Sequence, residues 1–529
     1  MANAANFMYR TEDFTLDEIL KSYVETSTDR RIVDKLKSRS PIVLRGSRGV
    51  GKSFLLRLAE AELKSDFDDK RILPVYITFS RSPLVHASRQ EFTPWMIAKI
   101  TKGIKRQVVE YGLELPRENS LRQLTELSNH EIDTTVIEEH EQFWKQGKPV
   151  EESSNLPDAD ELREALEELC EDLKLARIIL FIDEAAHVFV PEQQREFFTL
   201  MRDLRSPRVA IKAAVYPGVT SYGEIFEPSH DATFVDIERS VTDEGYADAM
   251  RRIVMKQDPK AEKQIKQRSE DFDVLAYASM GNPRILLKTY SESNPFNRTN
   301  VQNTIRTYFR ERIWSEHSGL ADRYPGHRAL IDWGRAFLED HVLPVLHSRN
   351  KEASETSSSA IWIHRDAPRV VYEALNLLCY SGILLRHSSG IRATRGATGT
   401  RFIVNFGCNF AQDADSVTYG QQVRSSFSIS KVQEFGANHK LYSAIQDISL
   451  TFNQSGANPA LESRLNESFR VLDLTEFQKE KLNNMGLRTI RDVLDASEEE
   501  FQSVPYIGVV RSRQIHNAAI MAVIEYLSG

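Results

Sequence analysis

The chain has 529 residues, of which 41% are hydrophobic and 27% charged, and a formal net charge of −8. This composition excludes a fibrous repeat and wholesale disorder, and the length exceeds what one compact core holds, so several domains in series are expected. Because the net charge is negative, any binding to nucleic acid must come from local basic patches.

The cysteine content and the hydropathy pattern bear on the cellular compartment. Cys170, Cys379 and Cys408 lie far apart and form no CxxC pair, which argues against a disulfide framework and a cysteine zinc site. The first residues lack a basic segment followed by an apolar run, and no stretch approaches the roughly 20 apolar residues that span a bilayer. The sequence therefore predicts a cytoplasmic protein with no membrane partner.

Five short apolar runs, separated by segments of helical length, occur in residues 1–240. They are Pro41–Leu44, Leu73–Phe79, Ile178–Ile182, Val209–Val215 and Phe234–Ile237. Such runs predict an α/β domain whose parallel sheet is covered by helices on both faces. The segment of about 115–170 is rich in Glu and Asp and has a helical pattern, so we expect an acidic helical insertion there, either a solvated face or a partner-binding element.

The segment Gly46–Ser53 reads GSRGVGKS and matches the phosphate-binding motif GxxxxGK[ST] in full. It lies between the first apolar run and a helical pattern, as this motif requires. Glycines let backbone amides turn toward phosphates, and a helix N-terminus adds partial positive charge. We therefore predict an ATP site in which Lys52 reaches the β- and γ-phosphates and Ser53 ligates Mg²⁺. The predicted nucleotide-binding residues are Gly46, Ser47, Arg48, Gly49, Val50, Gly51, Lys52, Ser53, Phe54, Asp183 and Arg284.

A carboxylate pair ends the third apolar run, where the sequence reads IILFIDE. Open α/β sheets bind ligands at the carboxyl ends of their strands, so Asp183 is predicted to hold magnesium through its water shell and Glu184 to orient the attacking water. Residues 281–284 read GNPR, which breaks a helical pattern and places Arg284 at the start of the next helix. Its guanidinium could meet the γ-phosphate and report ATP versus ADP.

The rest of the chain divides into four predicted regions. They are a helical lid at 241–316, a winged-helix-like domain at 317–412, a connector at 413–466 and a compact all-α domain at 467–529. The winged helix is predicted because helices are followed by two strands, Gly382–His387 and Arg401–Asn405, joined by a turn rich in Gly, Ser and Thr.

Together, GSRGVGKS, IILFIDE and GNPR resemble, in this order, the motifs of AAA+ ATPases of the origin-recognition and initiator clade, with related signalling ATPases. The resemblance covers roughly residues 20–310 and implies a sheet of order 5-1-4-3-2, a helical lid and often a winged helix. It implies Walker A roles for Lys52 and Ser53, Walker B roles for Asp183 and Glu184, and a second-sensor role for Arg284.

The same resemblance leaves two features open. The first sensor of the family is usually a small polar residue after the fourth strand, and it is not recognisable in Ala213–Gly218. Arg202 and Arg205 are the candidates for an arginine finger that reaches a neighbouring subunit, and we take Arg205 as the catalytic candidate. An ordinary surface arginine is the alternative for either one. An ATP-dependent homo-oligomer is therefore expected.

Two elements could contact nucleic acid. Between Ser381 and Phe402 the chain carries only basic charges, which predicts a basic wing that touches phosphate without reading sequence. The alternative is a wing that packs on its own ATPase domain. The wing cations are Arg386, His387, Arg392, Arg395 and Arg401.

The C-terminal residues resemble the helix-hairpin-helix domain of bacterial RNA polymerase alpha subunits over about 55 residues. Gly508 matches the hairpin glycine, and Arg511 and Arg513 are nearby cations. The base-reading Arg and Asn of that family align with Phe477 and Glu480, and a hairpin Lys aligns with Val510. A role in docking a protein is therefore the alternative to DNA contact.

These features predict a magnesium-dependent ATPase that converts ATP and water to ADP and phosphate. We expect a switch or remodeller whose nucleotide state controls DNA clamping or assembly, with DNA bound largely independently of sequence. The alternative is a signalling ATPase that gates a partner effector protein in prokaryotic antiviral defence.

Overall fold

The structure is a computed structural model. It describes residues 7–79, 89–127, 130–131, 137, 157–185, 191–223, 225–323, 327–353, 355–392, 396–446 and 464–528. The predicted wing cation Arg395 lies outside this set, as do residues 128–129, 132–136 and 138–156 of the predicted acidic insertion and residues 447–463 of the predicted connector.

A five-stranded parallel sheet forms the centre of the first unit, which comprises residues 1–267 and 281–291. Its strands are β1 (Ile42–Arg45), β2 (Ile72–Thr78), β5 (Arg177–Asp183), β6 (Val209–Val215) and β7 (Thr233–Asp236), and a separate antiparallel pair is formed by β3 (Glu126–Leu127) and β4 (His130–Glu131). The order β2-β5-β6-β1-β7 confirms the predicted order 5-1-4-3-2, counted over these five strands.

The sheet is buried on both faces because its strands alternate between two apolar cores. In β5, Ile178, Leu180 and Ile182 belong to one core, while Ile179 and Phe181 belong to the other. Successive side chains of a strand point to opposite faces, so a continuous apolar run is what a doubly covered strand requires. The predicted α/β architecture of this region is therefore confirmed.

Helices precede and follow the strands of the first unit along the chain. They are Leu16–Ser22, Ser27–Leu36, Lys52–Ser65, Phe67–Lys70, Arg89–Glu110, Ser120–Thr125, Ala159–Asp172, Pro191–Asp203, Pro228–Asp231, Tyr246–Gln257, Ala261–Gln267 and Pro283–Glu292, with a 3-10 turn at Thr11–Asp13. Two of these helices fall in the predicted insertion. The expectation of helix is wrong for residues 126–127 and 130–131, where the short pair β3 and β4 forms.

The second unit comprises residues 268–280 and 292–529. Its mixed sheet has the order β11-β8-β10-β9, with strands β8 (Ala360–His364), β9 (Leu384–Arg392), β10 (Thr398–Val404) and β11 (Val432–Phe435). Its helices are Ser269–Ala278, Arg298–Thr307, Ile313–Ser318, Leu320–Arg323, Arg328–Ala336, Leu343–Glu352, Arg369–Tyr380, Phe406–Phe410, Ser416–Ser426, Ser443–Gln446, Glu476–Asn484, Ile490–Asp495, Glu498–Gln502 and Val509–Ser528. π-helical segments occur at Tyr308–Arg312 and Phe337–Val342, and 3-10 turns at Lys440–Tyr442 and Phe469–Val471.

The structure agrees with some of the predicted regions and differs from others. The helices of the predicted lid and the hairpin of β9 and β10 are present, and residues 241–316 are divided between the two units. The connector expectation is wrong for residues 416–435, because a helix and the strand β11, which pairs in parallel with β8, form there. No helix in the described part of the chain has the length and apolar character needed to cross a membrane.

Candidate nucleotide-binding site

The phosphate-binding segment forms a tight loop between β1 and the helix Lys52–Ser65. Gly49 and Gly51 have φ angles of +84° and +106°, in the region that favours glycine. Gly46 is required by space, because a Cβ there would lie 2.6 Å from Cγ1 of Val50. The three glycines therefore give the loop a backbone that other residues would strain.

The ammonium group of Lys52 is buried and bonded to its own loop. Its Nζ donates to the carbonyl oxygens of Gly46 (2.7 Å) and Ser47 (3.1 Å) and lies 3.9 Å from the ring centroid of Tyr216. Burial lowers the pKa of Lys52 to about 7, against the opposing influence of the carboxylates at the end of β5. A buried cation is stabilised less by neutral partners than by an anion. A phosphate ligand would therefore stabilise the Lys52 ammonium more than the two carbonyl oxygens do.

Asp183, the last residue of β5, is buried and held by the neighbouring strand. The hydroxyl of Tyr76 in β2 donates to its Oδ2 at 2.6 Å, and the backbone N–H of Glu184 donates to its Oδ1 at 3.0 Å. Burial and the charge of Asp183 raise the pKa of Tyr76 above its usual range, so the phenol remains a donor. This carboxylate is thereby fixed at the carboxyl edge of the sheet.

Glu184 turns the chain at the end of β5. Its φ angle is +55°, a left-handed conformation that costs of order 1 kcal/mol for a residue other than glycine. Burial raises the pKa of its carboxyl to about 7, and the charges of Asp183 and Glu12 add to this effect. A carboxylate with a pKa near neutrality is suited to accept a hydrogen bond or proton from water.

A cavity of about 490 Å³ joins the predicted motifs, a volume within the range of small-molecule sites. Lys52, Ser53, Glu184 and Arg284 all line it. The structure thus brings together in one cavity residues that lie more than 200 positions apart in the chain. Asp183 is not among the lining residues, since it is buried behind Glu184 and Tyr76.

Arg284 lies in the first turn of the helix Pro283–Glu292 and is directed toward the N-terminal segment. Its Nε donates to the carbonyl oxygen of Tyr9 at 3.1 Å. The same segment is held by Gln257, whose side-chain amide bonds both the N–H and the carbonyl of Met8 at 2.9 and 3.3 Å. Residues 8–14 therefore form one wall of the cavity, a role that the sequence did not indicate.

Arg239, after β7, connects the P-loop with the turn at residues 281–284, and the sequence analysis missed it. Its Nη1 donates to the carbonyl oxygens of Val50 (2.8 Å) and Gly281 (3.2 Å), and its Nη2 pairs with Asp29 at 3.0 Å. The Arg239 and Asp29 side chains are only 10% and 5% exposed. A buried arginine fork thus fixes the loop, the turn and the helix Ser27–Leu36 together.

A second hydrogen bond joins the P-loop to the turn at residues 281–284. The side-chain amide of Asn282 donates to the carbonyl oxygen of Arg48 at 2.9 Å. A Cβ on Gly49 would lie 3.0 Å from both Oδ1 of Asn282 and Cβ of Arg284. The GNPR turn therefore packs directly against the P-loop, which gives this motif a structural role besides that of Arg284.

Tyr216 follows β6, where the first sensor was expected. The residue is buried, its ring faces the Lys52 ammonium, and it lines the cavity. A tyrosine is not the small polar residue that is usual at the first-sensor position. This position was therefore not recognised in the sequence. The structure places a polar aromatic side chain there, in contact with the P-loop lysine.

The residues present fit a magnesium ion bound together with a triphosphate. In the described part of the chain, no group of three or more His, Cys, Asp or Glu side chains could hold a metal. Magnesium in such sites takes one or two protein oxygens and obtains the rest from phosphate and water. The Ser53 hydroxyl lines the cavity, and both oxygens of Asp183 already accept one bond each, which leaves lone pairs for ordered water.

The arginine-finger candidates lie away from this cavity. Arg205 is half exposed and its Nη1 lies 4.0 Å from Asp231, while Arg202 bonds Asp203 at 2.7 Å and the carbonyl of Ile225 at 3.3 Å. Neither lines the cavity of its own chain. A contact in a neighbouring subunit stays a prediction.

The basic wing corresponds to β9 and β10. Arg386 and Arg392 are exposed on β9, and Arg386 donates to the Ser389 hydroxyl at 3.1 Å. Arg401 is partly exposed on β10 and faces Ser388 across the hairpin. The described wing cations therefore share one hairpin, as the sequence predicted, and their contact with DNA stays a prediction.

The C-terminal candidates lie around the start of the helix Val509–Ser528. Gly508 directly precedes it, and Arg511 donates to the carbonyl oxygen of Tyr506 at 2.6 Å. Arg513 pairs with Glu498 at 3.5 Å. One of the predicted cations is therefore engaged with a carboxylate of its own domain.

One protein-family model matches part of the chain. Residues 34–215 match the family model described as an AAA domain. This segment contains the P-loop, the strand that ends in Asp183, and β6, so the match covers both predicted Walker motifs. A search of curated proteins found no match.

Solved structures with some similarity to this chain include two proteins in complex with DNA and one bound to AMPPCP. The Aeropyrum pernix ORC1 protein in complex with DNA is 15% identical, with a TM-score of 0.33, over 78% of this chain and 97% of that chain. AMPPCP-bound DnaA from Aquifex aeolicus is 12% identical, with a TM-score of 0.29, over 65% and 93%. Drosophila ORC bound to DNA is 10% identical, with a TM-score of 0.27, over 70% and 88%. Similarity at this level carries no functional conclusion.

Proposed function

We propose that the chain is an AAA+ ATPase that binds ATP with Mg²⁺, hydrolyses it to ADP and phosphate, and uses the nucleotide state as a switch. The observation that carries this proposal is the single cavity lined by Lys52, Ser53, Glu184 and Arg284. These side chains are those needed to hold phosphate, ligate magnesium, orient water and sense the terminal phosphate.

Phosphate binding would rearrange Lys52. Its ammonium now rests on the carbonyls of Gly46 and Ser47, and an oxyanion is a stronger acceptor than either. We expect Nζ to move to the β- and γ-phosphates while the loop amides and the helix N-terminus bind the remaining oxygens. Magnesium, ligated by Ser53 and by water on Asp183, would neutralise charge that develops on the phosphates.

Glu184 would orient the attacking water. Glu184 and Lys52 both line the cavity, and the backbone N–H of Glu184 is bonded to Asp183. Because its pKa is raised to about 7, the ionised group retains enough basicity to accept a hydrogen bond from water as the bond to the phosphorus forms.

Arg284 would make the site a switch. In the structure its Nε bonds the Tyr9 carbonyl, and a γ-phosphate would compete for the same guanidinium. Moving Arg284 would break its bond to Tyr9 in the wall formed by residues 8–14, which Gln257 holds at Met8, and would shift the helix Pro283–Glu292. Hydrolysis would then return the arginine to the neutral carbonyl.

We propose DNA as the partner of this switch. The exposed Arg386 and Arg392 on the β9–β10 hairpin support backbone contacts that are independent of sequence. A signalling ATPase that gates an effector protein is the second candidate, because large apolar side chains are exposed on the C-terminal residues.

Calorimetry of magnesium-ATP binding and a phosphate-release assay test the ATPase proposal. We expect the parent chain to bind and hydrolyse ATP, and Lys52→Ala to lose binding by at least about 100-fold because the buried cation at the phosphates is removed. Lys70→Ala, which removes an exposed lysine of the same unit, is the matched control. Equal affinities of the Lys52 and Lys70 variants would refute the site.

A further inference from the structure

Residues 464–528 carry an unusual share of the exposed apolar surface. Of the eight large hydrophobic side chains that are exposed in the described part of the chain, five lie here. Four of them, Phe477, Tyr506, Val509 and Val510, are 39%, 79%, 51% and 57% exposed. Monomeric domains expose such groups singly, and a cluster of them marks an interaction site.

Two cations connect Phe477 with Tyr506, and the exposed Val509 and Val510 directly precede one of these cations, Arg511, in the chain. The Lys481 ammonium lies 5.3 Å from the ring centroid of Phe477 and 5.8 Å from that of Tyr506. The Arg511 guanidinium lies 5.3 Å from the Phe477 ring and bonds the Tyr506 carbonyl at 2.6 Å. We call Phe477, Lys481, Tyr506, Val509, Val510 and Arg511 the aromatic–cation surface.

The two cations are available to an external anion. Among the described residues neither Lys481 nor Arg511 pairs with a carboxylate, although Lys479 and Arg513 in the same region do. Their contacts are aromatic rings and one carbonyl oxygen, which are weaker partners than a carboxylate. An acidic group placed between them would meet two positive charges within an apolar setting.

The surface is supported by a rigid base. The helix Glu476–Asn484 begins with a capping box between Thr475 and Gln478, and Gln478 bonds Gln514 of the helix Val509–Ser528 at 3.3 Å. A separate apolar core lies beneath both helices. The exposed side chains are thus held in place before any partner arrives, which lowers the entropic cost of binding.

We propose that the aromatic–cation surface docks a segment of a partner protein that presents one or two carboxylates beside large apolar side chains. The carboxylates would pair with Lys481 and Arg511, and the apolar side chains would cover Phe477, Tyr506 and the two valines. Interfaces are enriched in aromatic residues and arginine at their energetic centres, as this surface is.

Nucleic acid fits the same surface less well. Residues 467–529 contain seven Lys and Arg residues against ten Asp and Glu residues, so a long polyanion would be repelled around the cluster. Three consecutive glutamates, Glu498–Glu500, open one of its helices. The Phe477 ring already bears cations, which leaves less of it for stacking with a base. A short acidic peptide meets only the local positive charges.

Selection from a library of short random peptides displayed on phage tests this proposal on the full-length chain. The parent chain and the variants Phe477→Ser, Lys481→Glu and Arg511→Glu serve as baits. Val109→Ser is the matched control, because it removes an exposed apolar side chain from the first unit. Enriched peptides are then labelled for fluorescence anisotropy beside labelled single-stranded and duplex DNA.

We expect enriched peptides to carry Asp or Glu beside Leu, Phe or Trp, and to bind each surface variant about tenfold more weakly than the parent or the control. No enrichment, peptides without carboxylates, or equal binding by the three variants would overturn the proposal. DNA binding that depends on the same three residues would replace a protein partner by nucleic acid. Unchanged thermal melting of the variants excludes misfolding, and binding without ATP separates this result from the proposed ATPase.

Discussion

The nucleotide cavity and the aromatic–cation surface use the same kinds of side chain in opposite ways. In the cavity, Lys52 and Arg239 are buried and bonded to backbone carbonyls. On the C-terminal surface, Lys481 and Arg511 lie over aromatic rings beside solvent-exposed apolar side chains. A buried cation is costly to leave without an anion, whereas an exposed one is not. Arg239 has the carboxylate of Asp29, and Lys52 would obtain its anion from a phosphate ligand, so the cavity is suited to one kind of ligand and the surface is adaptable.

Substitutions should therefore have large effects in the cavity and graded ones at the exposed sites. The buried groups act through desolvated contacts that water cannot replace. Exposed charges act in screened surroundings, where one group contributes less. The effect of a substitution should decrease from the cavity to the exposed sites. Each substitution tests whether burial determines the size of its effect.

The largest effect is expected from Glu184→Gln. Loss of the carboxylate that orients water should lower the turnover of ATP by about 10²–10⁴-fold, while binding is retained. Phosphate release and calorimetry measure the two quantities separately. Glu227→Gln, which changes an exposed glutamate of the same unit, should leave both unchanged. Parental turnover by the Glu184 variant would show that this carboxylate has another role.

Arg239→Ala should destabilise the first unit by about 3 kcal/mol, because Asp29 would be left buried without its charged partner. Arg45→Ala breaks a similar arginine–aspartate fork, with Asp236, whose side chains are 35% and 45% exposed. That change should cost about 1 kcal/mol or less. Denaturant unfolding compares them, and equal losses would mean that burial does not distinguish the two pairs.

Binding of ATP at alkaline pH should be accompanied by the uptake of protons, mainly by Lys52. Lys52, with a pKa of about 7, is mostly neutral in the free chain at about pH 8, and phosphate oxygens would raise its pKa again. Glu184, with a pKa of about 7, is already ionised there and contributes little. Calorimetry in buffers of different ionisation enthalpy should show uptake of roughly one proton at pH 8 and less near pH 6. Uptake that does not change with pH would contradict a neutral Lys52.

The smallest effect is expected at the hairpin. Arg392→Glu should weaken duplex DNA binding several-fold and lower the salt slope by about 1, because one exposed phosphate contact is lost. Arg349→Glu, in an exposed part of the helix Leu343–Glu352, controls for net charge. Fluorescence anisotropy across a salt series measures both variants. Identical slopes would remove the hairpin from the DNA site.

Several residues that line the cavity could be named from the sequence because they belong to local motifs. The glycines and Lys52 of the P-loop lie within eight consecutive residues, and Asp183 directly ends the apolar run of β5. Both motifs can therefore be read without knowledge of long-range contacts. The first-sensor position was not recognised in the sequence, because the residue there, Tyr216, is not the small polar residue that is usual in the family. The five-strand order followed from the family resemblance, and the structure confirms it.

Long-range contacts and weak patterns account for what was missed. Arg239 reaches Val50 and Asp29 across 189 and 210 residues, and no local motif records such a pair. The edge strand β11 is mostly polar and lies in a stretch rich in Ser and Gln, so it lacks the apolar alternation that identifies a strand. The aromatic–cation surface depends on side chains that the fold brings together from three separate elements.

A crystal structure with a non-hydrolysable ATP analogue and magnesium tests the central claim most directly. We predict that the triphosphate occupies the cavity, with Nζ of Lys52 moved from the carbonyls of Gly46 and Ser47 to the β- and γ-phosphates, and with Arg284 released from Tyr9. A cavity without nucleotide at saturating analogue, with Lys52 still bonded to its own loop, would contradict the account.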